Sequence, residues 1–280
     1  MTRLFLFVAF MLCTFSPQSS FAEEKESVYD RVMRTGTIRC GYGIGAPLVS
    51  VDANTGKLSG IMVEVMDEIG KSLSLKIEWA EEVGWGELAT ALQSRRVDAI
   101  CSTMWASGGR GRYIAYTRPL FFSKIDVYAR IDETRFKEPD DINQSNVRIV
   151  VTDNDISEEI ADADFPEAQK ISKPQLTGEQ FIFLELINNK ADIAFTHATY
   201  AHDFMLKNPD KIRRIPLKEP LRLYDNVLGV DIHEQELRDM LNAGLGEIIN
   251  AKKIEKILAK YEAKYPDMLL QVAKPYAVPE

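Results

Sequence analysis

The sequence predicts an α/β protein of two compact lobes, each a largely parallel sheet flanked by helices, and three observations point there. Short apolar runs alternate with helical stripes along the chain, the pattern of parallel strands joined by helices. The alternation starts afresh in the second half, from Val147 on. Length permits it: setting aside 22 residues that read as a leader, 280 residues leave 258, enough for two lobes.

Residues 23–34 are a charged lead-in with helical character, and 37–40 read as a strand. Asp52-Ala53-Asn54-Thr55-Gly56 is turn chemistry. Apolar residues at 63, 65, 66, 69 and 73 form a helical stripe. Residues 75–79 are a strand, 86–93 a helix and 97–101 a strand. In the second half, 147–151 and 192–195 read as strands, with helices beginning at Ser157 and over 180–188. A strand at 227–230 precedes a helix over 236–249. The last helix, 252–261, puts Ile254, Ile257, Leu258 and Tyr261 on one face, and the proline-bearing tail from Tyr265 reads as extended. In open sheets of this type, ligands bind beyond the carboxyl ends of the strands. Tyr42, Trp85 and Trp105 fall there.

Residues 1–22 combine Arg3, the apolar run LFLFVAFMLCTF, too short to span a bilayer, and a small-x-small site at Ser20-Phe21-Ala22. They are expected to be a signal peptide, leaving a periplasmic protein. Cys13 lacks the preceding Gly or Ala that lipidation wants. The net charge is −8, and −9 once Arg3 is gone, which argues against nucleic-acid and anionic-membrane partners. The three histidines lack metal-ligand spacing, so no metal and no cofactor is expected. Gly41-Tyr42-Gly43-Ile44-Gly45-Ala46 fits a dinucleotide-binding pattern, but Pro47 and an extended segment stand where the helix should begin. No G-x-S-x-G elbow is present.

The most informative stretch is 98–119, DAICSTMWASGGRGRYIAYTRP. An apolar strand end runs into a polar segment with Arg110, and Ile114, Tyr116, Thr117 and Pro119 follow at fixed offsets. This resembles the lobe-one signature of the family 3 extracellular solute-binding proteins: Asp-Ala-Ile, a threonine-rich turn, then Arg-x-x-x-Val-x-Phe-Ser-x-Pro. Residues 60–65, Trp85 to Leu92 with Val97-Asp98, Lys190-Ala191-Asp192 and Leu237 to Asn242 resemble further family motifs in the same order. The resemblance covers nearly all the mature chain. It implies a type II periplasmic-binding-protein-like fold, with lobe one from 23–120 and 226–280 and lobe two from 121–225. Two hinge crossings are implied near 120–124 and 221–225. It further implies a monomeric receptor that passes a small-molecule ligand to an ABC permease in the inner membrane. In the resembled fold the strands carrying Cys40 and Cys101 lie side by side. An oxidising compartment permits a bridge, while the demanding geometry of disulfides favours two separate thiols.

The resemblance also implies a pocket. Arg110 takes the ligand carboxylate, a task suited to a planar, permanently charged guanidinium with two parallel donors. Thr103 and Trp105 stand seven and five residues earlier, where the family touches its ligand, although Trp105 replaces a usual Ser or Thr. Trp85 matches an aromatic lid that stacks on the ligand's stem. The second lid aromatic is missing, since Gly45 occupies its place, and Tyr42 is the candidate substitute. In lobe two the family's Gly-Thr turn aligns with Asn154 and Asp155, and its ammonium-binding aspartate with His197. Two rearrangements stand open: Asp155 takes the cationic end, or the ligand lacks an α-ammonium and His197 donates to it. Trp85, Trp105 and Tyr42 with Asp155 would also suit a methylated or guanidino zwitterion.

The function expected is capture of a small polar, carboxylate-bearing solute without bond chemistry. Two alternatives remain. Exported cyclohexadienyl dehydratases resemble the same fold, in which case His197 or Asp155 would act as acid or base. A ligand-sensing partner of a membrane receptor would use the same binding event.

Overall fold

Alternation of apolar strands and amphipathic helices sets the architecture, described for residues 26–174, 179–266 and 268–271 in a computed structural model. The expected signal peptide and the end of the tail lie outside the described residues. The chain opens with α1 (Val28–Thr35), capped by the Ser27 hydroxyl, which accepts from the Asp30 N–H. β1 (Thr37–Tyr42) follows, then the hairpin of β2 (Ser50–Val51) and β3 (Leu58–Ser59). Its turn is built on Asp52, whose carboxylate accepts from the N–H groups of Asn54 and Thr55. α2 (Ile61–Leu73) buries Ile61, Met62, Val65, Met66 and Ile69 as one stripe. β4 (Lys76–Glu82), α3 (Leu88–Gln93), β5 (Ala99–Trp105), β6 (Ile114–Tyr116) and β7 (Phe121–Arg130) come next.

The second half contributes β8 (Arg148–Thr152), α4 (Ile156–Asp164), β9 (Gln169–Lys173), α5 (Glu179–Ile187), β10 (Ile193–His197), α6 (Ala198–Lys207) and β11 (Ile212–Arg214). The chain returns along β12 (Arg222–Asp231) and closes with α7 (Gln235–Asn250), α8 (Lys253–Glu262) and β13 (Leu269–Gln271). Among the described residues no helix is long and apolar enough to cross a membrane.

The strands run in the order β4-β1-β5-β12-β7-β10-β8-β9. β4, β1 and β5 are parallel, as are β10, β8 and β9. Between these two parallel sets lie the long antiparallel strands β7 and β12. Their near ends pair with each other, from Phe121 opposite Asn226 to Ile125 opposite Arg222. Beyond that overlap they part: β12 continues against β5 and β6, and β7 against β10 and β11. Two lobes therefore share one pair of strands. Each has its own apolar core. One gathers Ile38, Val65, Phe121, Leu228 and Leu241, the other Val127, Ile149, Ile160, Phe165 and Phe195.

A buried aspartate fixes the start of the inner strand in each lobe. Before β5, Asp98 accepts from the Arg39 backbone N–H and pairs with the guanidinium groups of Arg31 and Arg39. Before β10, Asp192 accepts from the Arg148 N–H and pairs with Arg148 and Arg135. A buried carboxylate is tolerable only with such partners. The Val-Asp and Ala-Asp words of the sequence are therefore structural locks.

One expectation is corrected. Cys40 on β1 and Cys101 on β5 are joined in a disulfide, with Cα atoms 5.4 Å apart. Parallel neighbours with side chains on one face satisfy the distance requirement that separate thiols were expected to fail. The bridge spans 61 residues. Chain-entropy reasoning for a loop of that size assigns it about 4 kcal/mol. Reduction, or Cys40→Ala with Cys101→Ala, is expected to lower the denaturant midpoint accordingly, leaving the native circular dichroism spectrum unchanged.

Candidate functional site

Where β5 and β10 end, a cleft of about 700 Å3, its open mouth included, lies between the two lobes. Six of the seven sequence-predicted residues line it: Trp85, Thr103, Trp105, Arg110, Asp155 and His197.

β5 brings the first of these by an irregularity. Met104 faces Val227 on β12 while Ile100 faces Gly229, so four steps on β5 match two on β12. Within that bulge Thr103 adopts φ 68, a conformation β-branched residues rarely take. Strain of this kind gathers at functional sites. The Thr103 hydroxyl donates to Asn226 Oδ1 at 3.3 Å. Strand 97–101 of the sequence reading thus extends to Trp105, because the bulge keeps a polar, aromatic segment in the ladder.

Arg110 sits in a single 3-10 turn whose start is held by the Ser107 hydroxyl, 3.3 Å from the Arg110 N–H. Its Nη2 reaches Trp85 O at 3.4 Å and Asn154 O at 3.5 Å. The same nitrogen lies 3.5 Å from Asp155 Oδ1, the two side chains being 13% and 17% exposed. An ion pair thus crosses the cleft, from lobe one to the residue preceding α4. Arg112 and Arg118 are exposed, in keeping with surface roles.

His197 is 1% exposed, and burial pushes its imidazole down to about 4, so the ring is neutral. Both ring nitrogens are engaged. Nδ1 caps α6 by accepting from the Thr199 N–H at 3.4 Å, and lies 2.8 Å from the Thr199 hydroxyl. Nε2 lies 2.7 Å from Ser123 Oγ. The ring therefore presents its face, not an edge, toward the cleft. Trp105 stacks there at 5.8 Å and 14°, with Tyr224 against Trp105 at 5.1 Å and 13°.

Tyr42 is not brought to the cleft. With Ile38 and Cys40, four and two residues earlier, it packs into the lobe-one core and meets the edge of Trp79 at 5.6 Å. An aromatic ring of lobe two lies against Gly45. Tyr200 on α6 lines the cleft and lies so close to Gly45 that a Cβ there would overlap its Oη. Gly43 likewise gives room to the Trp85 ring, 2.8 Å from where its Cβ would stand. Sequence reasoning missed Tyr200 and Asn226. The empty position at Gly45 was the one signal for Tyr200, and it pointed to a ring without saying from which lobe.

Known proteins resemble this chain in family and in fold. The model of the bacterial extracellular solute-binding proteins, family 3, matches residues 38–264. A probable histidine-binding protein of Campylobacter jejuni is 29% identical over 210 residues, covering 74% of this chain and 77% of that protein. A probable amino-acid-binding protein of Bacillus subtilis is 24% identical over 213 residues, 74% of this chain and 76% of that one. Among solved structures, an ancestral amino acid-binding protein described as a precursor of cyclohexadienyl dehydratase matches with a TM-score of 0.71. Its identity is 20%, over 86% of this chain and all of that chain. A histidine kinase sensor domain with similarity to periplasmic binding proteins matches at 0.72, with 20% identity over 84% and 98% of the two chains. At such identities the structural likeness speaks for the fold alone, which is that of type II periplasmic binding proteins.

Proposed function

The chain belongs to the bacterial extracellular solute-binding proteins, family 3, and from that premise we propose that it closes two lobes on a small zwitterionic, carboxylate-bearing solute. It then delivers that solute to an ABC permease. The observation that carries the ligand class is the Arg110–Asp155 pair across the cleft. A zwitterion entering there gives each charge a new partner, carboxylate to Arg110 and cationic group to Asp155. An acid without a cation would face Asp155 as a second anion, and a bare cation would face Arg110. Both outcomes leave a half-buried charge uncompensated, which is costly. Amino acids fit this requirement, and the names of the two relatives point the same way. Trp85, Thr103 and Trp105 supply the walls around the ligand.

Engagement of both His197 nitrogens favours one of the two rearrangements left open by the sequence. It supports Asp155 as the cation's partner and leaves His197 no free nitrogen for a ligand. For the same reason His197 is poorly placed to act as the acid of a dehydratase, so binding without chemistry is the better reading.

Lobe one comprises 23–120 and 226–280, and lobe two 121–225. The hinge lies on the paired ends of β7 and β12, and closure is an equilibrium biased by contacts the ligand makes with both lobes. The protein is exported by residues 1–22 and works in the periplasm as a monomer.

A thermal-shift panel of amino acids, betaines, polyamines and simple carboxylic acids tests the ligand class. A zwitterion is expected to stabilise the protein, by about 2.7 kcal/mol at one hundred times its Kd. Asp155→Asn should abolish that response, and His197→Asn should spare the selectivity for zwitterions. Stabilisation by acids that lack a cationic group would contradict the proposal.

A further inference from the structure

We infer that His197 is a positioning residue for lobe closure: its ring edge is held by lobe two and the hinge, and its face is the surface on which Trp105 of lobe one lands. This rests on the hinged-receptor reading above.

The Thr199 N–H can only donate, so Nδ1 is the acceptor and Nε2 carries the proton, which it donates to Ser123 Oγ at 2.7 Å. Ser123 Oγ also accepts from Asn226 Nδ2 at 2.6 Å, and Asn226 Oδ1 accepts from the Thr103 hydroxyl. A continuous polar chain thus runs Thr103–Asn226–Ser123–His197–Thr199, and all five residues are buried. It passes through β5, β12, β7, β10 and the start of α6. Ser123 lies within the paired ends of β7 and β12, opposite Tyr224, and Asn226 lies opposite Phe121. The chain therefore crosses both hinge strands.

Turning the imidazole would break the bonds at both nitrogens and orphan buried donors, so its plane is fixed. Trp105 stacks on that fixed plane at 14°, backed by Tyr224 at 13°. Of the two stacks, the one between Trp105 and His197 spans the cleft from β5 to the end of β10, whereas Tyr224 lies on the hinge strand β12 itself. Offset stacks of this spacing are favourable, and more so when one ring is already held. Removing the Ser123 hydroxyl should free the His197 ring and weaken closure, although Ser123 does not line the cleft.

The test is the distance between the lobes. Spin labels placed by Lys57→Cys in lobe one and Lys137→Cys in lobe two, both exposed, give a distance distribution by pulsed electron resonance. Ser123→Ala should raise the ratio of long to short distances about tenfold, the worth of one buried hydrogen bond. Ser123→Thr, which keeps the hydroxyl, should restore the original distribution. His197→Asn should shift distances in the same direction as Ser123→Ala and serves if that variant does not fold. A merely structural role would lower the melting temperature and leave the distances unmoved, and that result overturns the inference. An equimolar mixture of the twenty common amino acids separates the two readings. If it shortens the distances in the labelled parent but Ser123→Ala matches the parent throughout, the positioning role fails. If it moves nothing in the parent, the hinged-receptor reading fails, and this inference with it.

Discussion

Arg110→Ala is expected to weaken binding of the zwitterion by about 2–5 kcal/mol, roughly thirty-fold to several-thousand-fold, without loss of fold. The size follows from what is left behind. Asp155 would keep its half-buried carboxylate with no guanidinium at 3.5 Å, and the ligand carboxylate would find no bidentate donor. Arg112, two residues away and exposed, provides the control: Arg112→Ala should change affinity by less than about 0.5 kcal/mol, as surface substitutions usually do. Isothermal titration of both variants measures the contrast, and equal losses would remove Arg110 from the site.

The second large effect concerns acid. The His197 imidazole is held down at about 4 by burial, whereas an unfolded histidine titrates near 6.5. As pH falls from 6.5 toward 4, the unfolded chain takes up this proton and the folded protein does not. Stability contributed by the neutral ring is complete above 6.5 and falls through that window, by about 3 kcal/mol in total. Below 4 both states are protonated and no further loss arises from this group. His197→Asn keeps a capping acceptor for α6 but cannot titrate. The stability advantage of the wild type over this variant, from denaturant titrations at successive pH values, should therefore shrink as pH drops from 6.5 to 4. A constant difference would mean that the histidine is not neutral by burial.

What the sequence carried was the local part of the fold. Strands β1, β4, β8 and β10 and helices α2, α7 and α8 have strong apolar periodicity and sit within two or three residues of their expected positions. α6 went unread because Ala198 to Lys207 is capped by a histidine and mixes small and polar residues, so no stripe stands out. β7 went unread as a strand, and β12 was visible only in part, at 227–230. Each spans ten residues and changes partners midway, so no single burial pattern runs its length. At the site, Arg110 was picked out by its offset to Pro119, which matches the family signature, and Asp155 by its alignment with the family's Gly-Thr turn. Tyr42 was misplaced because the residue after a strand's last apolar position was taken to face the cleft. Period-two alternation with Ile38 and Cys40 sends it into the core. Tyr200, Asn226 and Ser123 needed the three-dimensional pairing of β7, β10 and β12 and could not have been found in one dimension.

Native mass spectrometry of the purified protein after exposure to an equimolar mixture of zwitterions, simple acids and simple cations tests the central claim most directly. The account predicts one retained adduct whose mass is that of a zwitterion, lost in Arg110→Ala and in Asp155→Asn. A retained simple acid or simple cation, or a zwitterion that survives both substitutions, would contradict it.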